Sequence, residues 1–254
     1  MHQNETHADD LDQAAAMLGS ARRVAVMTGA GISAESGLAT FRGAGGLWEG
    51  HAVEDVATPE AFRRDPALVW RFYNARRANL ATVEPNPGHR ALVALEERLG
   101  GNGFTLITQN VDGLHNAAGS RRVLELHGSL RRVRCSGCGI TEEGGIEPLP
   151  DLPRCSACDA LLRPDVVWFH EALPEDVWQK AEAAARSCQC FLVVGTSAIV
   201  YPAAGLIYLA RDHGAKVIEI NIAATEASGA VDVSLRGASG TILPELIKRM
   251  ELNP

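Results

Sequence analysis

Four cysteines form two Cys-x-x-Cys pairs, Cys135/Cys138 and Cys155/Cys158, with sixteen residues between the pairs. Two such knuckles can bring four thiolates around one tetrahedral zinc ion in the spacing of a ribbon. Four thiolates fill the coordination sphere, so the zinc is expected to be structural and the catalyst must lie elsewhere. His127 closes the apolar run Val123 to Leu126. A histidine ending a strand titrates near neutral pH and can act as a general base, although for an isolated histidine a hydrogen-bonded structural role is the commoner one. His115 competes, but it falls in a helical turn where a structural role is expected. Asn110 and Asp112, past a second apolar run, can hydrogen-bond sugar hydroxyls or cap a helix.

Glycines supply a third kind of chemistry. The run Val24 to Met27 leads into Gly29-Ala30-Gly31-Ile32, spaced Gly-x-Gly-x-x-Ala. A strand feeding such a turn lets backbone N–H groups approach an anion, and a following helix N-terminus adds a favourable dipole. The same pattern also occurs as a plain glycine turn. Gly195-Thr196-Ser197 is a second candidate phosphate or ribose contact, or again a turn. A hydride-transfer enzyme would carry a strand ending in an acidic residue about 20 residues past the glycines. Glu49 is near that distance but follows Gly45-Gly46-Leu47-Trp48 with no expected strand, which disfavours that reaction.

The elements that must position these groups alternate. A helix over Asp9 to Leu18, after a leader of residues 1–8, precedes the first strand. Thr58 to Leu80 reads as helical, with Thr58-Pro59 and Asp65-Pro66 as cap pairs, and Asn86-Pro87 opens a helix closing at Gly100-Gly101. Strands are expected at Phe104 to Ile107, Val123 to Leu126, Phe191 to Val194, Val217 to Ile220 and Val231 to Leu235. Helices are expected over Pro174 to Ala185, after Pro202, and from Pro244 onward. Such alternation predicts an α/β fold with a parallel sheet covered on both faces. Ligands bind such sheets at the carboxyl ends of the strands, where Gly29, Gln109, His127, Gly195 and Asn221 all fall. Residues 135–158 interrupt the pattern with Gly- and Pro-rich chain that has little apolar content of its own.

Composition limits the partners. Of 254 residues, 46% are hydrophobic and 22% charged, with 24 basic against 31 acidic residues. That balance gives no electrostatic footprint for nucleic acid or a membrane surface. No run approaches the roughly 20 apolar residues of a membrane span, and the polar, acidic N-terminus is unlike a secretory signal, so a cytoplasmic protein is expected. The cysteine usage agrees, with Cys188 and Cys190 bordering an apolar strand rather than building a disulfide framework.

Taken together, Gly29-Ala30-Gly31-Ile32-Ser33 with Thr40-Phe41-Arg42-Gly43, Thr108-Gln109-Asn110-Val111-Asp112 with Leu114-His115, His127-Gly128, the cysteine pairs, Val166-Val167-Trp168-Phe169 and Gly195-Thr196-Ser197 resemble the sirtuin family in order. The resemblance spans roughly residues 20–245. It implies an NAD-dependent protein lysine deacylase with a Rossmann-like, doubly wound NAD-binding domain (9–38, 85–128 and 166–254). A smaller domain would be made of a helical insertion (39–84) and a zinc ribbon (129–165). The acyl-lysine amide oxygen would attack the nicotinamide ribose, nicotinamide would leave, and His127 would activate a ribose hydroxyl on the way to an acyl-ADP-ribose. Gly29, Ala30, Gly31, Ile32, Thr40, Phe41, Arg42, Gln109, Asn110, Asp112, Gly195, Thr196, Ser197, Asn221 and Ala238 would contact NAD. Val166, Val167, Trp168 and Phe169 would meet the acylated-lysine protein or peptide. A monomer is expected.

Tyr73 and Arg76 stand at i and i+3, so phenol and guanidinium can converge on one carboxylate; a solvated arginine-rich helix is the plainer reading of the same run. The Tyr-x-x-Arg and the run Phe41 to Gly46 resemble the sirtuin branch that removes succinyl, malonyl and glutaryl groups, and the small Ala44 would leave room for a longer acyl chain. The resemblance therefore implies desuccinylation and demalonylation beside deacetylation. Three positions depart from the family pattern: Ala39 where proline is frequent, His170 where Phe-Gly-Glu has glycine, and Ile222 to Thr225 after Asn221. Mono-ADP-ribosyl transfer from the same NAD site is the second enzymatic reading, and an inactive scaffold carrying an interaction ribbon the non-enzymatic one.

Overall fold

A computed structural model describes residues 8–38, 47–48 and 51–252. The expectations placed on residues 1–7, Ala39, Thr40, Phe41, Arg42, Ala44 and Glu49 lie outside the described residues. Strands β1 (Val24–Thr28), β2 (Leu47–Trp48), β3 (His51–Ala52), β4 (Phe104–Thr108), β5 (Val123–Glu125), β6 (Gly128–Cys135), β7 (Thr141–Glu143), β8 (Leu162–Val166), β9 (Cys190–Val194), β10 (Lys216–Asn221) and β11 (Val233–Arg236) form three sheets. The largest has the order β11-β10-β9-β1-β4-β5, with every pairing parallel.

The sheet is covered on both faces, which is why its strands read as continuous apolar runs. In β1, Val24 and Val26 enter one core while Ala25 and Met27 enter the other. The first core is closed by helices α1 (Ala8–Gly19), α5 (Pro87–Leu99) and α9 (Ser239–Leu252). In α1 the residues Leu11, Ala14, Ala15 and Leu18 supply one helical stripe to it. The opposite core is closed by α7 (Glu175–Ser187) and α8 (Gly205–Asp212). Short helices α2 (Ala30–Ala34) and α6 (Leu114–Ala118) follow β1 and β4.

A third core joins the two insertions. Helices α3 (Pro59–Arg64) and α4 (Pro66–Leu80) pack Phe62, Val69, Trp70 and Tyr73 against Leu130 and Val133 of β6 and Leu162 of β8. Strand β6 lies between β7 and β8 in an antiparallel sheet. The caps expected from sequence are present: Thr58 Oγ1 accepts the Ala61 amide at 3.1 Å, and Asp65 Oδ1 the Leu68 amide at 2.9 Å. Polar anchors fasten helix to ribbon. Trp70 Nε1 donates to the Leu162 carbonyl at 3.0 Å, and Asn74 pairs both ways with the Leu149 backbone at 2.8 and 2.9 Å. The Arg77 guanidinium, 1% exposed, donates to the carbonyls of Leu130, Gly144 and Glu147.

Beyond the ribbon strands β6, β7 and β8, which the sequence expectation does not resolve, two elements differ from it. The final helix starts at Ser239 and holds Pro244 inside it. Its first turn is nucleated earlier, by the Ala238 carbonyl accepting the Thr241 and Ile242 amides and by Glu35 accepting the Ser239 hydroxyl and Gly240 amide. The other difference is the small antiparallel pair β2-β3, where no strand is expected; two-residue strands are too short to leave a period-2 signal.

Candidate active site and metal centre

The strand order reverses between β1 and β9: from β1 the chain proceeds outward through β4 and β5, then returns to β9 and proceeds through β10 and β11 the other way. A crevice at the carboxyl ends of the strands is the ligand site such a reversal creates. There the loops after β1 and β9 interlock. The Gly31 amide donates to the Gly195 carbonyl at 2.8 Å and the Gly29 amide to the Val194 carbonyl at 3.0 Å. A Cβ on Gly29 would stand 2.7 Å from Thr196 Cβ, and one on Gly31 2.7 Å from the Gly195 oxygen. These glycines are therefore required first for loop-on-loop packing. Their amides serve the protein rather than standing open as the anion cradle read from the sequence. Ile32 is buried beneath the loop, while Ala30 stays partly exposed.

Polar groups from the neighbouring strand ends line up along this edge. Gln109 Nε2 donates to Thr196 Oγ1 at 3.0 Å and Asn221 Nδ2 to the Thr196 carbonyl at 2.7 Å, linking the ends of β4, β9 and β10. Ser197 and Ala238 are partly exposed at the ends of β9 and β11. Asn110 Nδ2 donates to the Gly29 carbonyl and to Ser33 Oγ, both at 3.1 Å. Asp112 uses both oxygens, accepting the Ser33 hydroxyl at 2.8 Å and the Leu114 amide at 2.9 Å. It is thus both a cap and a network member. Burial pushes the Asp112 carboxyl up, against the Leu114 amide, the Ser33 hydroxyl and the guanidinium groups of Arg76 and Arg131.

His127 follows β5, and its Nδ1 lies 2.9 Å from the Gln109 carbonyl. A carbonyl only accepts, so Nδ1 carries the proton and Nε2 is the basic nitrogen. Burial draws the His127 pKa down, with the Gln109 hydrogen bond acting the other way. Gly128, at φ +77°, sits where a Cβ would collide with the Asp165 carbonyl oxygen, which fixes glycine after the histidine. The His127 carbonyl accepts the Val167 amide at 2.9 Å, and the Phe169 amide reaches the Ala57 carbonyl at 3.1 Å. The segment expected to meet substrate is therefore tied to the histidine and to the chain before α3. Along it Val166 and Trp168 are buried, Val167 is partly exposed and Phe169 is 52% exposed.

His115 is structural as expected: it is buried with Nε2 2.9 Å from Thr28 Oγ1. Sequence reasoning used Asn86 only as a helix start and overlooked His89. Asn86 donates to the Ile32 carbonyl at 2.7 Å, and His89 Nδ1 accepts the Asn86 amide at 3.3 Å with its ring 4.8 Å from that of His115. Burial holds His89 at about 4 and His115 at about 3. The signal available was Asn-Pro-x-His at a helix start, a cap with its reciprocal partner.

Tyr73 and Arg76 lie one turn apart on α4. Tyr73 is buried, with its oxygen accepting Trp168 Nε1 at 2.9 Å. Burial lowers the Arg76 pKa, while Tyr73 and Asp112, both in electrostatic reach, raise it. From the small-domain helix, Arg76 is thus within electrostatic reach of the polar edge of the large sheet.

The ribbon cysteines converge. Their four Sγ atoms lie within 4.8 Å of one another, with Cys135 to Cys158 at 3.4 Å and Cys138 to Cys155 at 3.7 Å. Thiolates about 2.3 Å from a central zinc stand about 3.8 Å apart at the corners of a tetrahedron, so the set fits one ion. The Cys138 and Gly137 amides point at Cys135 Sγ at 3.4 and 3.3 Å, a pair of donors that favours its thiolate. Cys188 and Cys190 are buried in the sheet cores, apart from this cluster.

A doubly wound sheet with a crevice at its reversal, a basic histidine at that edge and a four-thiolate ribbon define a dinucleotide-type α/β protein with a structural metal. Residues 29–202 match the Sir2 family. The chain is 48% identical over 248 residues, 95% of it and 96% of the relative, to a protein of Thermococcus kodakarensis named an NAD-dependent protein deacylase. A Sir2 homolog solved as an NAD complex superimposes with a TM-score of 0.91 at 42% identity, covering 99% of this chain and 97% of that one. Sir2Af2, solved with a myristoylated histone peptide, gives a TM-score of 0.78 at 36% identity and covers 97% and 98% of the two chains. The protein belongs to the Sir2 family. No helix among the described residues is long and apolar enough to cross a membrane.

Proposed function

We propose that the protein is an NAD-dependent protein-lysine deacylase that takes lysines carrying succinyl and malonyl groups, with acetyl-lysine as a further substrate. NAD supplies an anomeric carbon activated by its nicotinamide leaving group. The residues proposed to hold it are Gly29, Ala30, Gly31 and Ile32 after β1, Gln109, Asn110 and Asp112 after β4, Gly195, Thr196 and Ser197 after β9, Asn221 after β10 and Ala238 after β11. His127 takes a proton from a sugar hydroxyl at Nε2, because its Nδ1–H is committed to Gln109. Asn110, held by Gly29 and Ser33, and Asp112, held by Ser33 and Leu114, keep fixed orientations after β4. Val166 to Phe169 receive the substrate peptide as an added strand, with Val167 anchored on the His127 carbonyl. The relative named a deacylase and the neighbour solved with an acylated peptide support this chemistry.

The observation that carries the acyl class is the position of Arg76, a partly buried cation one turn from a buried tyrosine and within reach of Asp112 at the polar edge. A carboxylate at the end of an acyl chain meets a guanidinium and a phenol there, a charge-assisted pairing that an acetyl group cannot make. Replacing Arg76→Met is expected to lower kcat/KM for succinyl-lysine peptide by about 10–100-fold, from loss of about 1.5–3 kcal/mol of charged hydrogen bonding, with a far smaller loss on acetyl-lysine. Equal losses on the two peptides would reject the acyl assignment.

A further inference from the structure

Arg163, on β8, is 8% exposed and makes contacts that the chemistry above does not use. Its guanidinium lies flat over Trp168, Cζ 3.4 Å from the ring centroid. The same group forks onto Glu171 at 2.6 and 2.8 Å and donates to the Val166 carbonyl at 2.9 Å. Glu171 Oε2 also accepts the Trp168 amide at 2.9 Å. One ion pair therefore grips Trp168 twice, by its backbone and by its ring face. Such a pair combines a bidentate charged hydrogen bond with cation–π attraction. His170, at φ +69°, turns the chain so that the Glu171 carboxylate can fold back onto Trp168. Desolvation works against that carboxylate, but the Arg163 hydrogen bonds and the Trp168 amide hold it below its ordinary pKa.

Beyond the ring, Trp168 Nε1 donates to Tyr73 Oη at 2.9 Å, and Phe62 packs with its centroid 5.3 Å from that of Trp168. A phenol has one hydrogen and accepts on the same oxygen. With the indole N–H on that oxygen, the Tyr73 hydrogen is turned away from Trp168 and must go to another acceptor. We propose that Arg163 and Glu171 form a clamp that positions Trp168, and through it aims the Tyr73 hydroxyl at the distal carboxylate of the acyl group. They are positioning residues acting through Trp168. The proposal rests on the dicarboxylic-acyl reading of Tyr73 and Arg76.

The test compares wild type, Arg163→Lys, Glu171→Gln and Arg76→Met on matched succinyl- and acetyl-lysine peptides at saturating NAD, with zinc content and melting temperature as folding controls. Lysine keeps the charge but neither forks nor stacks flat. The succinyl KM should rise about tenfold in Arg163→Lys and Glu171→Gln, the acetyl KM less than about threefold, with kcat on each peptide within about twofold. Equal KM rises on both peptides, or a loss confined to kcat, overturn the clamp. Should Arg163→Lys lose zinc, Glu171→Gln decides, since Glu171 lies outside the ribbon sheet. A second readout is independent of turnover: the Trp168 indole 15N–1H resonance, assigned by its absence in Trp168→Phe, should move in Tyr73→Phe and again in Arg163→Lys. An indole resonance unmoved in Arg163→Lys overturns the clamp. Equal acyl losses in Arg76→Met would reject the carboxylate reading and with it the aim of the Tyr73 hydroxyl, and the positioning of Trp168 would then stand or fall on the indole resonance.

Discussion

The large sheet and the small insertion core hold their shapes by different means, and the site lies where they meet. Around the sheet, strands buried on both faces are closed by helices whose apolar stripes do the packing. In the insertion core, aromatic residues of α4 pack on the few apolar residues of the ribbon, and the join is reinforced by polar anchors: Trp70, Asn74 and the buried Arg77, together with the four-cysteine cluster. The large sheet can therefore tolerate changes that shift a helix slightly. The insertion core depends on a few groups whose loss leaves buried carbonyls or thiolates without partners. On the proposed function, catalysis and specificity would fall to different halves: His127 is held by the backbone of the sheet edge, whereas Tyr73 and Arg76 ride on the insertion helix.

Removing zinc gives the largest expected effect. Structural zinc sites are worth on the order of 10 kcal/mol of folding free energy, so chelation, or replacement of Cys155 by serine, should melt the ribbon and the α3–α4 face against it. The parallel sheet should persist. Metal analysis with circular dichroism checks this, and a ribbon that keeps its structure without metal would erase the contrast between the halves. Next comes Arg77→Met, which strands the Leu130, Gly144 and Glu147 carbonyls. Only the Leu130 carbonyl is fully buried among them, so at about 1–3 kcal/mol for a buried group left unpaired, a loss of about 1–3 kcal/mol is expected in urea unfolding. A loss below about 1 kcal/mol would mean that apolar packing and the cysteine cluster hold the join without Arg77.

A pH effect sharpens the sheet side. His89 and His115 sit in the folded protein at about 4 and about 3, below the ordinary value near 6.5. Between those limits the unfolded chain binds more protons than the folded one, so these histidines contribute stability that is fully present above about pH 6.5 and lost as pH falls. Denaturant unfolding should show stability falling as pH drops through that window. A flat stability profile from pH 6.5 to 4 would show that the pair is not held neutral.

Particular residues show how far the sequence could be read. The apolar strands, the cap pairs at Thr58, Asp65 and Asn86, and the cysteine spacing each carry a local signal, and the structure places all of them as expected. The start of α9 was hidden because proline is favoured in a first helical turn, whereas here Glu35, far away in sequence, supplies the cap that starts the helix at Ser239. The glycines after β1 were legible as glycines but not in their role: nothing local reveals that Gly195 packs against them from the end of β9. Arg77 and Arg163 read as ordinary charges. Their burial depends on carbonyls and a carboxylate that only the tertiary fold brings to them.

The most direct measurement follows nicotinamide release and lysine deacylation together, with NAD and matched acetyl-, malonyl- and succinyl-lysine peptides, in wild type and in His127→Ala. One nicotinamide per lysine freed, faster turnover on the malonyl and succinyl peptides, and a fall in kcat of about 10²–10⁴-fold in a folded His127→Ala protein are expected. Nicotinamide release without loss of the acyl group, or turnover unchanged by His127→Ala, would contradict the proposed function.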